Sequence, residues 1–267
     1  MRERSGKITP RALASKAWAE AYQLIDLQLS PLGLRAIEPL NLADGNVVLD
    51  VGCGAGQTLL QLADRVGPEG QVIGVDIAPQ LLEIARQRSR ARGTVRLIQA
   101  DAASLDLPTA SLDVVFSRFG VMAFSDPAAA FANFHRMLKP AGRLAFSCWR
   151  ALEENPLDDL PLSAAGLRSM VNREPFSFAD PDQIRTTLRD AGFGRISIQA
   201  HDEAVSSGDL DAMTWVLLKV GPLGRIIREN PELRNAAGTR VRQALGALGD
   251  PARVSLRAGV WIVTAEA

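Results

Sequence analysis

The amino-acid sequence predicts an α/β protein with a seven-stranded, mostly parallel sheet, helices on both faces and a helical cap. Three observations predict this class. Short apolar segments alternate with amphipathic segments between residues 46 and 149, a glycine-rich turn follows the first apolar segment, and two more apolar segments come near the C-terminal end. Short strands that alternate with helices are typical of parallel β-α-β units whose sheet is covered on both faces.

The composition is that of an ordinary globular chain, 267 residues long with 47% hydrophobic and 22% charged residues. Thirty Lys and Arg balance thirty Asp and Glu, so no overall field attracts nucleic acid or anionic lipid. No apolar run approaches the roughly 20 residues of a membrane span, and MRERSGKITP lacks the apolar part of a secretory leader. Cys53 and Cys148 have no metal-ligand spacing, so we expect no metal, reduced thiols and a cytoplasmic protein.

The N-terminal segment, residues 1–40, is expected to form one part of the helical cap. Residues 11–29 place apolar side chains at helical spacing. Ser30-Pro31 predicts the end of that helix, because the residue before a proline disfavours the helical conformation. A second helix is expected over 32–40. Trp18 and Tyr22 lie four residues apart and are expected on the apolar face of the first helix.

The central segment, residues 41–150, carries most of the predicted sheet. Its apolar runs predict strands over 46–51, 71–76, 94–100, 112–118 and 142–149. The intervening segments predict helices over 58–66, 79–93 and 127–139.

The remaining segment, 151–267, is expected to add two strands and further cap helices. A helix is predicted over 180–192, with Asp180 as its N-cap and Gly192 past its end. Strands are predicted over 193–200 and 259–267. Residues of about 151–180 and 203–255 are expected to be insertions that cap the substrate site, the second mostly helical.

The stretch VLDVGCGAGQT places Gly52, Gly54 and Gly56 between the first strand and the first helix of the sheet. Glycine tolerates positive φ and allows a ligand to approach the backbone, and the N-terminus of the next helix offers free N–H groups. This context favours a nucleotide site over an empty turn.

The residues around this turn bear on which nucleotide binds. The dinucleotide pattern G-x-G-x-x-G requires glycine where Gln57 stands. Asp76 ends the second strand, where an acid accepts hydrogen bonds from ribose, and it suits a dinucleotide and an adenosyl ligand equally. Asp50 ends the first strand, where it would repel a pyrophosphate and favour a ligand with an ammonium group.

Four motifs then occur in order: VLDVGCGAG, VIGVDIAP, QADAASLDLP and LDVVFSRFGVMAFSDP, followed by LKPAGRLAFSCW. Together they resemble the S-adenosylmethionine-dependent methyltransferases of the Rossmann-like class, in particular the branch with ubiquinone/menaquinone-biosynthesis and sterol methyltransferases. The resemblance covers about residues 44–150. It implies the strand order 3-2-1-4-5-7-6 with the last strand antiparallel. Ala141 departs from the family's usual Lys-Pro-Gly-Gly turn.

The resemblance also implies the cofactor-binding residues. Those expected around the methionine part of S-adenosylmethionine are Asp50, Gly52, Cys53, Gly54 and Gly56. Those expected around ribose and adenine are Asp76 at the ribose hydroxyls, Ile77 against adenine, Asp101 at the adenine amino group and Ala102 through its backbone N–H. The family's methyl-facing positions correspond to Ser117, Arg118 and Phe119.

Several of these residues keep a plainer interpretation. Asp101 fits the cap of a turn as well as a ligand contact. Arg118 fits a surface ion pair as well as a pocket role at a strand's carboxyl end. His201 follows the predicted sixth strand and fits a structural histidine as well as a base. Arg118 and His201 are thus the candidate catalytic residues, and neither identifies the acceptor atom.

The predicted function is the transfer of a methyl group from S-adenosylmethionine to a small organic acceptor, aromatic or isoprenoid, by in-line displacement. Alignment in a closed, dry pocket supplies most of such catalysis, so no evident base is required. We expect no nucleic-acid substrate and no integral membrane association, and leave a homodimer open. The alternatives are a non-catalytic adenosyl-binding protein and an NAD-dependent dehydrogenase, which Gln57 and Asp50 disfavour.

Overall fold

A single seven-stranded sheet runs through this computed structural model, which describes residues 10–267, with side chains from Ala12 onward. Residues 1–9, on which the expectation of no secretory leader rests, lie outside the described residues. The strands are β1 (Val47–Val51), β2 (Gln71–Asp76), β3 (Val95–Gln99), β4 (Leu112–Arg118), β5 (Leu138–Trp149), β6 (Gly194–Gly208) and β7 (Val254–Glu266).

The strand order is 3-2-1-4-5-7-6, as predicted. Strands β1 to β5 pair in parallel, whereas β7 is antiparallel to both β5 and β6. Because the first five strands are parallel, their carboxyl ends and the turns that follow them lie at one edge of the sheet. That edge is where the predicted ligand-binding residues occur.

Helices cover both faces of the sheet. They are α1 (Pro10–Ile37), α2 (Gln57–Val66), α3 (Pro79–Ser89), α4 (Pro127–Met137), α5 (Pro156–Ala165), α6 (Pro181–Asp190), α7 (Leu210–Lys219), α8 (Gly221–Glu229) and α9 (Arg234–Gly246). Alternate side chains of β1 enter opposite apolar layers, Val48 in one and Leu49 in the other. The first layer is shared with α1, α2, α3, α5 and α7 to α9, and the second with α4 and α6.

The predicted end of the first helix at Pro31 is wrong. Helix α1 continues to Ile37, and only residues 38–40 form a separate 3₁₀ turn. An interior proline costs a helix about 3 kcal/mol. Leu32 and Ile37 beyond it are almost fully buried, and each such side chain contributes about 1.5–3 kcal/mol. The burial of the last turns therefore outweighs the local cost of the proline.

The last two strands are longer than predicted. Strand β6 runs to Gly208 and β7 begins at Val254, so residues 203–208 and 254–258 extend the sheet rather than the inserted region. The apolar pattern that would predict the full length of β6 is weak, because β6 is an edge strand whose side chains are mostly exposed or half-buried. The three helices α7 to α9 lie between these strands. No helix within residues 10–267 is both long and apolar enough to cross a bilayer.

Candidate active site

A cavity of about 440 Å³ opens at the carboxyl ends of β1, β2 and β4, beside helix α1. We call it the glycine-turn cavity. Its wall includes Trp18, Tyr22 and Asp26 of α1, together with Gly52, Cys53, Gly54, Asp76, Ile77, Asp101, Ala102, Arg118 and Phe119. Nine residues proposed from the sequence thus come together here, although they span almost 70 positions of the chain.

The three glycines of the turn have different surroundings. All have positive φ: +70° at Gly52, +53° at Gly54 and +87° at Gly56. A Cβ on Gly52 would lie 2.8 Å from the Cα of Gly120, so this glycine permits the close approach of two strand ends. A Cβ on Gly54 would meet only one oxygen, at 4.0 Å, and would stand in the cavity. Gly56 packs against Ala85 of α3 and does not line the cavity.

Asp76 holds the turn in shape. Its Oδ2 accepts the backbone N–H of Gly54 at 2.9 Å, and its Oδ1 accepts that of Ala78 at 2.8 Å. A carboxylate offers about four lone-pair sites, so two remain for a ligand in the cavity. Ile77 follows it with 38% of its surface exposed, which presents an apolar patch beside the acid.

Asp50 lies behind the cavity wall and is fully buried. Its Oδ2 accepts a 2.5 Å hydrogen bond from Thr58, which does line the cavity, while its Oδ1 has no hydrogen-bond partner among the described residues. Burial raises the pKa of Asp50 to about 7, against the opposing effects of Thr58 and Arg118. A cation in the adjacent cavity would lower this pKa.

A polar network joins α1 to this site. Asp26 accepts a hydrogen bond from Arg88 at 2.7 Å and lies 3.8 Å from the Arg118 guanidinium. Gln57 donates from its side-chain amide to the Asp26 carbonyl at 3.0 Å and accepts from Arg118. Burial raises the pKa of Asp26 and lowers that of Arg118. The residue that departed from the dinucleotide pattern, Gln57, therefore connects three segments of the site.

Asp101 combines the two roles that the sequence left open. Its Oδ1 accepts the backbone N–H of Ala103 at 3.0 Å and so caps the 3₁₀ turn Ala102–Ser104. The same side chain is exposed and lines the cavity. The carboxylate therefore has capacity for a ligand as well as for the cap.

The end of β4 divides into a structural and a cavity-facing part. Ser117 is buried outside the cavity, where its hydroxyl donates to the Val51 carbonyl at 2.8 Å and accepts the Gly120 N–H at 3.0 Å. Phe119 has φ of +62°, which is costly for a residue with a side chain. Its ring stacks on Trp149 with centroids 4.0 Å apart.

Phe119 also lines a second cavity of about 260 Å³, which we call the aromatic cavity. The two cavities share Trp18, Ile25, Leu29 and Phe119 in their walls. Beyond these residues the aromatic cavity is bounded by Met122, Trp149, Asp158, Gly221, Arg225 and Arg228, among others. Two adjoining spaces thus meet at one strained aromatic residue, and both have mostly apolar walls.

The other sequence candidates lie elsewhere. His201 is within β6, with its Nε2 3.2 Å from Glu203, and it lines neither cavity. Cys53 and Cys148 are buried free thiols, and burial raises the pKa of both. Among residues 12–267, no cluster of three His, Cys, Asp or Glu side chains is placed to hold a metal ion.

Sequence reasoning missed the polar residues that tertiary structure brings to the site. Asp26 interrupts the apolar run LIDLQL of α1, and an acid on an apolar helix face is a usable signal for a buried polar contact. Arg88 carries no such signal, because it lies in the charged helix segment RQRSRAR. Asp158 lies in an acidic stretch that is typical of a surface.

Comparisons with known proteins place this arrangement in a family. Residues 49–146 match a methyltransferase domain. The chain is 36% identical over 208 residues to the nocamycin O-methyltransferase of Saccharothrix syringae, covering 69% of this chain and 73% of that protein. It is 36% identical over 120 residues to the aklanonic acid methyltransferase of Streptomyces sp. strain C5, and 41% identical over 98 residues to the demethylmenaquinone methyltransferase of Thermus thermophilus. The match spans about half the length of these last two relatives, 54% and 44%.

Solved structures share the fold. Phosphoethanolamine N-methyltransferase 2 of Haemonchus contortus superposes with a TM-score of 0.64 at 17% identity, over 97% of this chain and 61% of that one. The YcgJ protein of Bacillus subtilis superposes with a TM-score of 0.60 at 22% identity, over 88% and 97% of the two chains. The strand order, the glycine turn with its acids and the nocamycin relative agree, and the chain belongs to the S-adenosylmethionine-dependent methyltransferases.

Proposed function

We propose that the glycine-turn cavity holds S-adenosylmethionine and that the adjoining aromatic cavity holds a small organic molecule that receives the methyl group. The transfer is an in-line displacement across the boundary that Phe119 forms between the two spaces. The relatives named for aklanonic acid, nocamycin and demethylmenaquinone support a small-molecule acceptor.

The single observation that supports this cofactor best is the charge of the cavity. Four carboxyl groups lie in or directly behind its wall, those of Asp26, Asp50, Asp76 and Asp101, against the guanidinium groups of Arg88 and Arg118. S-adenosylmethionine carries a sulfonium, an ammonium and one carboxylate, so it is a net cation. A nicotinamide dinucleotide carries an anionic pyrophosphate, which this excess of acids would repel. The cavity therefore fits the first ligand and disfavours a dehydrogenase.

The residues divide by the part of the cofactor that they suit. The free lone pairs of Asp76 suit the ribose hydroxyls, and Ile77 presents the apolar patch that adenine needs. Asp101 suits the adenine amino group, with Ala102 beside it. The open backbone of Gly54, its neighbours Gly52 and Cys53 in the same turn, and the negative field of Asp50 suit the methionine part.

S-adenosylmethionine supplies a methyl group that its sulfonium already activates. The task of the chain is therefore alignment and the exclusion of water, and alignment contributes about 7–11 kcal/mol to such reactions. Helix α1 closes one side of both cavities through Trp18, Ile25 and Leu29, and the network around Asp26 fastens it to α2, α3 and β4. Arg118 serves in this network as a positioning residue. A cytoplasmic location and a homodimer stay predictions of the sequence.

A binding experiment on a matched pair of capping residues tests this assignment. Asp101→Ser keeps an N-cap for the 3₁₀ turn but withdraws the carboxylate from the cavity. Asp126→Ser makes the same change at the N-cap of α4, outside both cavities. In calorimetric titrations the wild type is expected to bind S-adenosylhomocysteine and not NAD. Asp101→Ser should weaken that binding roughly tenfold, because hydrogen bonds to charged groups are worth about 1.5–3 kcal/mol. Asp126→Ser should leave it unchanged, and equal losses in both variants would contradict the assignment.

A further inference from the structure

The aromatic cavity contains one buried carboxyl group. Asp158 of α5 is only 8% exposed, and its Oδ2 accepts a 2.8 Å hydrogen bond from the side-chain amide of Asn155. Asn155 is fully buried, and its Oδ1 accepts the backbone N–H of Gly259 in β7 at 3.1 Å. Because the amide oxygen is engaged by the strand, the amide nitrogen is directed at Asp158. The carboxyl group is therefore oriented by a fixed partner.

The second oxygen of this carboxyl group is free to contact a ligand. Asp158 lines the aromatic cavity, and its Oδ1 has no hydrogen-bond or ion-pair partner among residues 12–267. Gly221 at the start of α8 lies beside it, where a Cβ would come within 3.3 Å of Oδ1. The absence of a side chain at Gly221 leaves this oxygen uncovered.

A carboxyl group in such a place is costly unless something binds to it. Burial of a polar group with an incomplete set of hydrogen bonds costs on the order of 1–3 kcal/mol. Burial also raises the pKa of Asp158 to about 7. The two arginines of the cavity wall have other partners: Arg225 pairs with Glu174 and Glu229, and Arg228 donates to the Lys219 carbonyl. Oδ1 of Asp158 therefore has no partner within the described part of the protein that would offset this cost.

The surrounding wall limits what the ligand can be. Phe119 and Trp149 stack almost in parallel, at an interplanar angle of 17°, and Trp18 and Met122 complete an apolar wall that suits a flat ring. Arg228 lines the same cavity and has no ion-pair partner among the described residues, so its positive charge disfavours a cationic amine. A neutral hydrogen-bond donor on a planar ring satisfies both the apolar wall and the free oxygen.

We propose that the methyl acceptor of this enzyme is a planar aromatic phenol or enol, and that a hydroxyl of this acceptor donates a hydrogen bond to Oδ1 of Asp158. This inference rests on the proposed function, since it takes the aromatic cavity as the acceptor site. It makes Asp158 the specificity-determining residue of that cavity and Asn155 its positioning residue.

Paired fluorescent probes test the inference without knowledge of the natural acceptor. 2-Naphthol and 2-methoxynaphthalene have the same ring, but only the first has a hydroxyl donor. With S-adenosylhomocysteine present, fluorescence titration of the wild type is expected to show at least a roughly tenfold preference for the naphthol. Asp158→Leu keeps the branched skeleton of the side chain and removes the acceptor oxygens, so it should abolish the preference. Asp159→Asn, which alters a neighbouring acid that pairs with Arg168, should retain it.

Each outcome decides the matter. A wild-type protein without the preference, including one that binds neither probe, overturns the inference, as does an Asp158→Leu variant that keeps the preference. If Asp158→Leu does not fold, Gly221→Ala is the second variant, because its methyl group would cover Oδ1 and should reduce the preference. Calorimetry with S-adenosylhomocysteine on the same samples separates the two proposals. A wild type that does not bind S-adenosylhomocysteine refutes the proposed function. A wild type that binds S-adenosylhomocysteine but shows no preference for the naphthol refutes only the inference.

Discussion

Alanine substitutions at glycines with positive φ separate the structural role of the glycine turn from its role in binding. Gly54 lies in the turn with φ of +53°, and Gly45 lies in a loop before β1 with φ of +83°. A Cβ at Gly45 would meet no atom within 4 Å, and one at Gly54 would meet only an oxygen at 4.0 Å. Neither substitution therefore causes a clash, and each pays only the cost of a left-handed conformation.

That cost is about 1–2 kcal/mol per residue. For a protein of this size, 1 kcal/mol lowers the melting temperature by about 2–4 °C, so both variants should melt roughly 2–8 °C below the wild type. Gly52→Ala should lower the melting temperature further. Its Cβ would lie 2.8 Å from the Cα of Gly120, and overpacking of this kind adds about 1–3 kcal/mol.

Binding should separate the two mild variants. The methyl group of Gly54→Ala would project into the glycine-turn cavity, so the dissociation constant for S-adenosylhomocysteine should rise at least about tenfold, or 1.4 kcal/mol. Gly45→Ala should bind as the wild type does. Thermal denaturation and calorimetric titration measure the two quantities on the same preparations. The reasoning is refuted if Gly54→Ala keeps its affinity, or if Gly45→Ala loses as much.

Two further predictions concern Asp50 and Pro31. The pKa of Asp50 is raised to about 7, so its ionisation costs stability as pH rises through 7, and a bound ammonium group offsets that cost. Arg118 and Asp76 are the other charged groups that act on it. The affinity for S-adenosylhomocysteine should therefore increase from pH 5 to pH 7, by up to about tenfold per pH unit, and level off above pH 7. Calorimetry should find no such increase in Asp50→Asn. A wild-type affinity that does not change with pH would contradict the role of Asp50. Pro31→Ala should raise the melting temperature, because it restores the backbone N–H that can donate to the Leu27 carbonyl inside α1. A lower melting temperature in thermal denaturation would show that the proline does not destabilise the helix.

The parts of the fold that the sequence predicted well are those with a local cause. Strands β2 and β4 have the predicted bounds, since each has a central apolar run, VIGV and VVF, that is buried on both faces. The edge strand β6 lacks such a run, and the prediction stopped eight residues short of its end at Gly208. Helix α1 was divided at Pro31 because a local rule cannot weigh the burial of the residues that follow.

The same distinction holds for the site. Gly52, Gly54, Asp76 and Asp101 were predictable because each ends a strand or begins the turn after it, and parallel strands bring these positions to one edge. Asp26 and Arg88 are 62 positions apart, and nothing local in either helix indicates that they meet. Their contact is one of several that attach α1 to α2, α3 and β4.

Asp158 shows why the acceptor is harder to predict than the cofactor. Its partners come from three separate elements: Asn155 just before α5, the backbone of β7 behind that amide, and Gly221 at the start of α8. A cofactor shared by a whole family is bound largely through backbone turns and acids at strand ends, which leave a regular pattern in the sequence. An acceptor is bound by side chains of the inserted helices, whose positions depend on tertiary packing. In our proposal the acceptor is therefore recognised by the unpaired oxygen of Asp158 and the flat apolar wall beside it, which only the folded structure brings together.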